Sequence, residues 1–203
     1  MDARIVDDAF EGLQEGRAVV IPTDTVYGLC AAPDRPEPVH AMYRLKGREE
    51  GQPTAVIASS VDRLLELVPE LRGQPEVAVR ALLPGPFTLV LPNPAQRFRW
   101  LTGMRPQTLG VRVPELQRGA RALLERVGIL AATSANRAGE PDPRRVEEVP
   151  EEIRSACAAV IDGGELPGVP STVVELTGPE PLVLREGAVP AAETLDRLRH
   201  AVS

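Results

Sequence analysis

Aromatic residues make up only 3% of this 203-residue chain, which has just two histidines and two cysteines. The core must therefore be aliphatic, and Trp100, Phe87, Phe98, Tyr27 and Tyr43 stand out against it. His40 and His200 are too few for an imidazole-rich metal site, and their positions near helix ends suit no serine-histidine-aspartate arrangement. Cys30 and Cys157 lie far apart and form no CxxC, which excludes a disulfide framework and a cysteine metal site. Cys30 has no histidine near it in the pattern, so it is not read as a nucleophile. No apolar run approaches the ~20 residues of a membrane span, and the acidic opening Met1-Asp2-Ala3-Arg4 lacks the regions of a signal peptide. A cytoplasmic protein with reduced thiols and no membrane partner is expected. Basic residues are not in excess: 29 acidic against 23 basic give a net charge of -6, which argues against non-specific nucleic-acid binding. A local basic cleft remains compatible with that balance. There is no GxxxxGK[ST] and no GxGxxG after a strand, so any nucleotide must be held by another kind of site.

What the chain does have is 21 prolines and 17 glycines, which divide it into many short elements. Phe10 and Leu13 among charges predict a helix over 7–15, closed by Gly16, and Ala18-Val19-Val20-Ile21 predicts a buried strand. A helix follows Pro36 and Pro38, with Val39, Met42, Tyr43 and Leu45 at helical spacing, and it delivers Lys46-Gly47-Arg48. Strands are expected over 54–58, 87–91, 108–113, 129–132 and 160–162, with late strands over 173–176 and 182–184. Helices are expected over 61–68, 77–83, 117–127, 150–156 and 191–200, and 92–107 reads as a surface loop or lid. Helices and strands mingle with several direct strand-to-strand steps, which predicts an α/β fold with a mixed, twisted open sheet and flanking helices. There is no repeat, low-complexity segment or linker, so 1–203 is expected to form one domain.

Five clusters share one arrangement, an apolar run emptying into small polar or cationic groups: Thr23/Thr25/Tyr27, Lys46/Arg48, Thr108/Arg112, Ser134/Asn136, and Ser171/Thr172 with Arg185. Strand ends of this kind are where small-molecule sites form, and hydroxyls with fixed cations suit a phosphate or carboxylate. Each has a local alternative. Asp24 and the threonines could bond only nearby backbone, Lys46 and Arg48 could complement a helix dipole, and Ser134 and Asn136 could form a turn and cap. Arg112 sits between Val111 and Val113, so alternation puts it on the face opposite theirs, either solvated or functional.

Taken together the segments resemble the YrdC/Sua5 family, the threonylcarbamoyl-AMP synthases of tRNA N6-threonylcarbamoyladenosine biosynthesis. The matching pieces are PTDTVYGL at 22–29, KGR at 46–48, LPGPFTLVL at 83–91, GVRVP at 110–114, SANRAGEPDP at 134–143, PSTVVEL at 170–176 and LREGAV at 184–189. The resemblance implies an open sheet around a large concave cavity and the short form without a second domain. It also implies a reaction joining L-threonine, bicarbonate and ATP, with Mg2+ on the phosphates, and a tRNA-modifying transferase downstream. On the matching positions, Lys46 and Arg48 would be catalytic and hold the ATP phosphates, with Thr108, Ser134, Asn136, Asp142 and Arg185 completing the nucleotide site. Thr23 or Thr25, Arg112, Ala132 and Ser171 would hold threonine, Arg112 meeting its carboxylate. Arg112→Ala is then expected to weaken threonine use far more than folding.

Two departures leave other readings open. Glu49 and Glu50 stand where the family often has proline after its KxR, and Ala138 replaces a usual serine. A YciO-like paralogue, or a carbamoyl-transfer enzyme using carbamoyl phosphate with ATP, is one alternative. An RNA-binding or ribosome-maturation module is the other, with Arg97, Arg99 and Arg105 around Trp100 as a patch for weak, double-stranded RNA contact.

Overall fold

A computed structural model describes residues 3–49 and 51–202. In chain order the elements are α1 (Ala3–Gln14), β1 (Val19–Pro22), β2 (Tyr27–Ala31), α2 (Pro36–Lys46), β3 (Ala55–Ala58), α3 (Val61–Leu67), α4 (Gln74–Leu82) and β4 (Phe87–Pro92). They continue with β5 (Thr108–Arg112), α5 (Arg118–Val127), β6 (Ile129–Ser134), α6 (Glu151–Ala156), β7 (Thr172–Glu175), β8 (Leu182–Arg185) and α7 (Ala191–Val202). The strands form one eight-stranded sheet in the order β1-β2-β6-β3-β5-β4-β7-β8. β3 and β5 run parallel, as do β4 and β7, and the remaining neighbours are antiparallel. The expected mixed sheet is what forms.

Register separates two faces. The row Ala31, Ala131, Val56, Val111, Leu89 and Val174 is aliphatic and buried. Met42 and Tyr43 of α2, Leu64 of α3, Val79 of α4, Ile153 of α6 and Leu198 of α7 belong to the same apolar core. On the other face Cys30, Leu130 and Ile57 share a core with Ala9 and Leu13 of α1 and Leu123 and Leu124 of α5. Beyond β3 this second layer stops, and the same face of β5, β4 and β7 opens into a hollow lined by Gly110, Val90 and Val173. Half a helical layer is therefore what creates the concavity.

The sequence reading differs from the fold at two places. Tyr27–Ala31, over which no element is expected from the sequence, is β2, fully buried along its length. A strand covered on both faces shows no alternation, and Gly28 weakens its strand signal further. Residues 160–162 make a single bridge, Val20 to Val160, not a strand. Their role is to cap the outer edge of β1, through Ala158 N to Ala18 O at 2.8 Å and Ile161 N to Val20 O at 2.9 Å. Among the described residues no helix is long and apolar enough to cross a membrane.

Candidate active site

The hollow is a cavity of about 430 Å³. Thr23, Thr25, Arg48, Thr108, Arg112, Ala132, Ser134, Asp142, Ser171 and Arg185, all named from the sequence, line it. Segments more than 100 residues apart in the chain meet here because β2, β6, β3, β5, β4 and β7 are successive neighbours in one sheet. Lys46 and Asn136, also named from the sequence, stand just behind the wall.

One end is built around Arg112, which faces the cavity while Val111 and Val113 point into the core. Its Nη2 donates to Asp24 Oδ1 at 2.6 Å and to Thr25 Oγ1 at 3.2 Å, and its Nε is buried without a partner. The ion-paired side chains are 13% and 10% exposed. Burial raises the Asp24 carboxyl above its ordinary value, against the pull of Arg112 and of the Glu115 N–H. Asp24 is thus not a local turn residue but the anchor of a cation from β5. Thr23 does make the local turn, its Oγ1 donating to Val26 O at 2.6 Å and accepting from Val26 N at 3.2 Å. Thr25 is the threonine that reaches Arg112. Arg185 lies at this same end, donating from Nη2 to Ser171 O at 2.8 Å, while Ser171 Oγ shares a 2.8 Å bond with Thr88 Oγ1. The register Val173 to Arg185 puts it there, next to Arg112 rather than next to Arg48.

The other end is built where α2 stops. Gly47 takes a left-handed conformation at φ 64°, which only a glycine adopts at no cost, and the chain turns out of the helix there. Arg48 then donates from Nη1 to Thr133 Oγ1 at 3.0 Å and from Nη2 to Pro53 O, leaving a buried Nε free. Lys46 turns inward at 5% exposure and donates from Nζ to Ser134 O at 2.7 Å, to Asn136 O at 2.9 Å and to Asn136 Oδ1. Asn136 Oδ1 also accepts from Ser134 Oγ at 2.6 Å, and its amide donates to Glu140 O. Lys46 and Asn136 therefore hold the 134–140 turn in shape, and Ser134 is the face that turn shows the cavity. Burial pushes the Lys46 ammonium down to about 8, with Arg48 adding to the fall and Asp142 opposing it. Glu49 is exposed and does not line the cavity, and Glu50 lies outside the described residues.

Between the ends the floor is made of Gly28, Ala55, Gly110 and Ala132. Thr108 and Arg112 lie four residues apart on β5, about 13 Å at the rise of a strand, so the small residues leave room for an elongated ligand. A Cβ at Gly110 would sit 3.5 Å from the Ala55 Cα, an ordinary contact. Gly110→Leu is accordingly expected to fold, with stability within about 1–3 kcal/mol of the parent, and to fill the cavity. Thermal unfolding should show the fold retained while ligand-induced stabilisation disappears.

Asp24, Thr88 and Thr133 are cavity or anchoring residues that the sequence does not assign to a site, and Arg105, expected in an RNA-contact patch, lines the cavity. The alternation Phe87-Thr88-Leu89 carries a signal for Thr88; Asp24 carries one only if paired with Arg112 in advance. Tyr27 and Thr172 turn away instead. The Tyr27 hydroxyl donates to Gly164 O at 2.8 Å and accepts from Gly163 N at 2.9 Å, and Thr172 Oγ1 donates to Val189 O at 2.6 Å. The basic patch is largely neutralised: Arg97 pairs with Glu70, Arg105 with Glu175, and Trp100 Nε1 donates inward to Pro33 O. A second hollow, of about 710 Å³, lies beyond the carboxyl ends of β3 and β5. It gathers none of the five clusters, and its Arg80 is already paired with Asp62 and Glu76.

The family model Sua5_yciO_yrdC, which carries the description "Telomere recombination", matches residues 11–187. A threonylcarbamoyl-AMP synthase from Pyrococcus abyssi is 35% identical over 182 residues, 89% of this chain and 53% of that protein. The structure of P. abyssi Sua5 complexed with L-threonine matches with a TM-score of 0.82 at 33% identity, covering 96% of this chain and 57% of that one. Escherichia coli YciO matches with a TM-score of 0.77 at 26% identity, covering 96% and 94%. The chain spans about half the length of the P. abyssi relative. Because the family model spans most of its residues, the chain belongs to the YrdC/Sua5 family.

Proposed function

We propose that the cavity is the active site of an L-threonylcarbamoyl-AMP synthase, holding an amino acid at the Arg112 end and ATP at the Arg48 end. The observation that carries this reading is the pair of cationic ends joined by a floor of glycine and alanine. Arg112, held by Asp24 with Thr25 and Ser171 beside it, suits the carboxylate and hydroxyl of threonine. Arg48, Ser134 and Thr108 suit the phosphates, and Lys46 with Asn136 positions Ser134 for them. Arg185, beside Arg112, adds a second cation at the amino-acid end.

The chemistry needs placement more than a nucleophile. The threonine amine adds to bicarbonate, a C–N bond forms and water leaves, giving a carbamate. A carbamate oxygen then attacks the α-phosphorus, the bond to the leaving pyrophosphate breaks, and threonylcarbamoyl-AMP results. Fixed cations that cancel charge while holding the attack in line supply what this step requires. Among the described residues no group of three or more His, Cys, Asp or Glu side chains is placed to hold a metal ion, so Mg2+ is read as bound through phosphate oxygens and water. The mixed anhydride is reactive and passes to a transferase acting on tRNA, a role that belongs in the cytoplasm. RNA contact is not part of this reading, because Arg97 is paired with Glu70, Arg105 lines the cavity, and the chain carries a net charge of -6.

The test is pyrophosphate release from ATP. Release that requires both L-threonine and bicarbonate is expected. Release supported by carbamoyl phosphate in their place, or by neither, would overturn the assignment in favour of a paralogous reaction.

A further inference from the structure

We infer that Arg105 is a further phosphate-binding cation of this cavity, taking the terminal phosphates of ATP and the departing pyrophosphate, and that Glu175 occupies it until they arrive. The inference rests on the reading of the cavity as an ATP site. Arg105 lines the cavity from the 92–107 segment, outside the seven matching motifs. Its guanidinium donates to Glu175 through both Nη1, at 3.3 Å, and Nη2. That two-pronged contact with a carboxylate is the geometry by which a guanidinium also grips phosphate. At 49% exposure the arginine stands at the mouth, where a leaving group must exit, whereas Glu175, at 14%, is held on β7 with Thr177 donating to it.

The frame under Arg105 is fixed to both sides of the site. Thr108 N and Thr108 Oγ1 both donate to Arg105 O, at 3.0 and 3.1 Å, and Arg105 N donates to Thr102 O at 3.1 Å. Gly103 is pressed against the 51–53 strip, where a Cβ would fall 2.5 Å from Gly51 O, and that strip supplies the Pro53 carbonyl that holds Arg48. Arg105 and Arg48 are thus carried on adjoining backbone, and among the described residues they are the lining guanidinium groups at this end. A triphosphate has more charge than Arg48 alone offsets. Exchange of a carboxylate for phosphate at Arg105 leaves Glu175 on β7 with the Thr177 hydroxyl still donating to it.

Calorimetric titration of a non-hydrolysable ATP analogue, of pyrophosphate and of AMP, each with Mg2+, into the whole chain tests this. Arg105→Gln is expected to weaken the ATP analogue and pyrophosphate by about tenfold and to leave AMP within a factor of about two. Glu175→Gln is expected to act in the opposite direction, tightening both several-fold, and to have no effect once Arg105 is already Gln. Unchanged ATP-analogue binding in Arg105→Gln, an equal loss for AMP, or a weakening by Glu175→Gln would each overturn the inference while leaving the ATP site standing. A parent protein that binds none of the three would overturn the ATP site itself, and this inference with it.

Discussion

Arg112→Ala is expected to lose threonine binding by about 100-fold, the worth of a charge-assisted contact to a carboxylate, and also to lose about 3–5 kcal/mol of stability. The second loss revises what the sequence suggests, which is an effect on substrate use with little effect on folding. Asp24 is the reason: removal of Arg112 leaves its carboxylate buried without a counter-charge, with backbone N–H groups such as that of Glu115, at 3.1 Å, in place. Burial already raises the Asp24 carboxyl, and loss of the cation raises it further. A carboxyl whose folded-state value lies above its unfolded value is more stable folded when protonated, so the destabilisation of Arg112→Ala should shrink as pH falls through that raised value. Urea unfolding at two pH values measures it. The double variant Asp24→Asn/Arg112→Met removes both charges and is expected to recover most of the stability while threonine binding stays absent. Threonine affinity unchanged in either variant would contradict the role given to Arg112, and parent-like stability of Arg112→Ala would contradict the role given to Asp24.

Nucleotide affinity is expected to fall above about pH 8, approaching tenfold per pH unit, because Lys46 is pushed down to about 8 by burial. Phosphate bound against Ser134 brings negative charge close to the buried ammonium and favours its protonated form, so binding above that pH takes up a proton. The sign for folding is the reverse. An unfolded lysine keeps its proton to about 10.4, so between about 8 and that value the unfolded chain binds more protons, and this group's contribution to stability rises with pH. Lys46→Met should bind ATP roughly 30-fold or more weakly, since Ser134 and Asn136 lose the ammonium that holds their turn, and its affinity should no longer depend on pH in this window. Calorimetry in buffers of differing ionisation enthalpy reads the proton uptake directly. A slope that persists in Lys46→Met would assign the titration to another group.

How far the site could be read from the chain depends on whether a residue's local pattern implies its neighbours. Arg112 was legible because valines on both sides force it to the other face of a strand, and that face is the cavity. Lys46-Gly47-Arg48 was legible as a helix end; that Lys46 turns inward to carbonyls while Arg48 turns to the cavity was not, since the split depends on the left-handed Gly47 and on where β6 ends. Asp24 reads as a turn residue because its partner is 88 positions away. The sheet as a whole followed from apolar runs and turn residues, except β2, where burial on both faces erases the alternation, and 160–162, where an apolar run makes a single bridge and no strand. The grouping of Arg185 with Arg112 is a matter of strand order, β4 next to β7 and β7 next to β8, which no local pattern encodes.

A crystal structure of the chain with L-threonine and a non-hydrolysable ATP analogue bound together tests the central claim most directly. The threonine carboxylate is expected on Arg112 and the phosphates against Arg48 and Ser134, both inside the cavity of about 430 Å³. Either ligand seated elsewhere, for instance in the hollow beside Arg80 and Glu115, would contradict it.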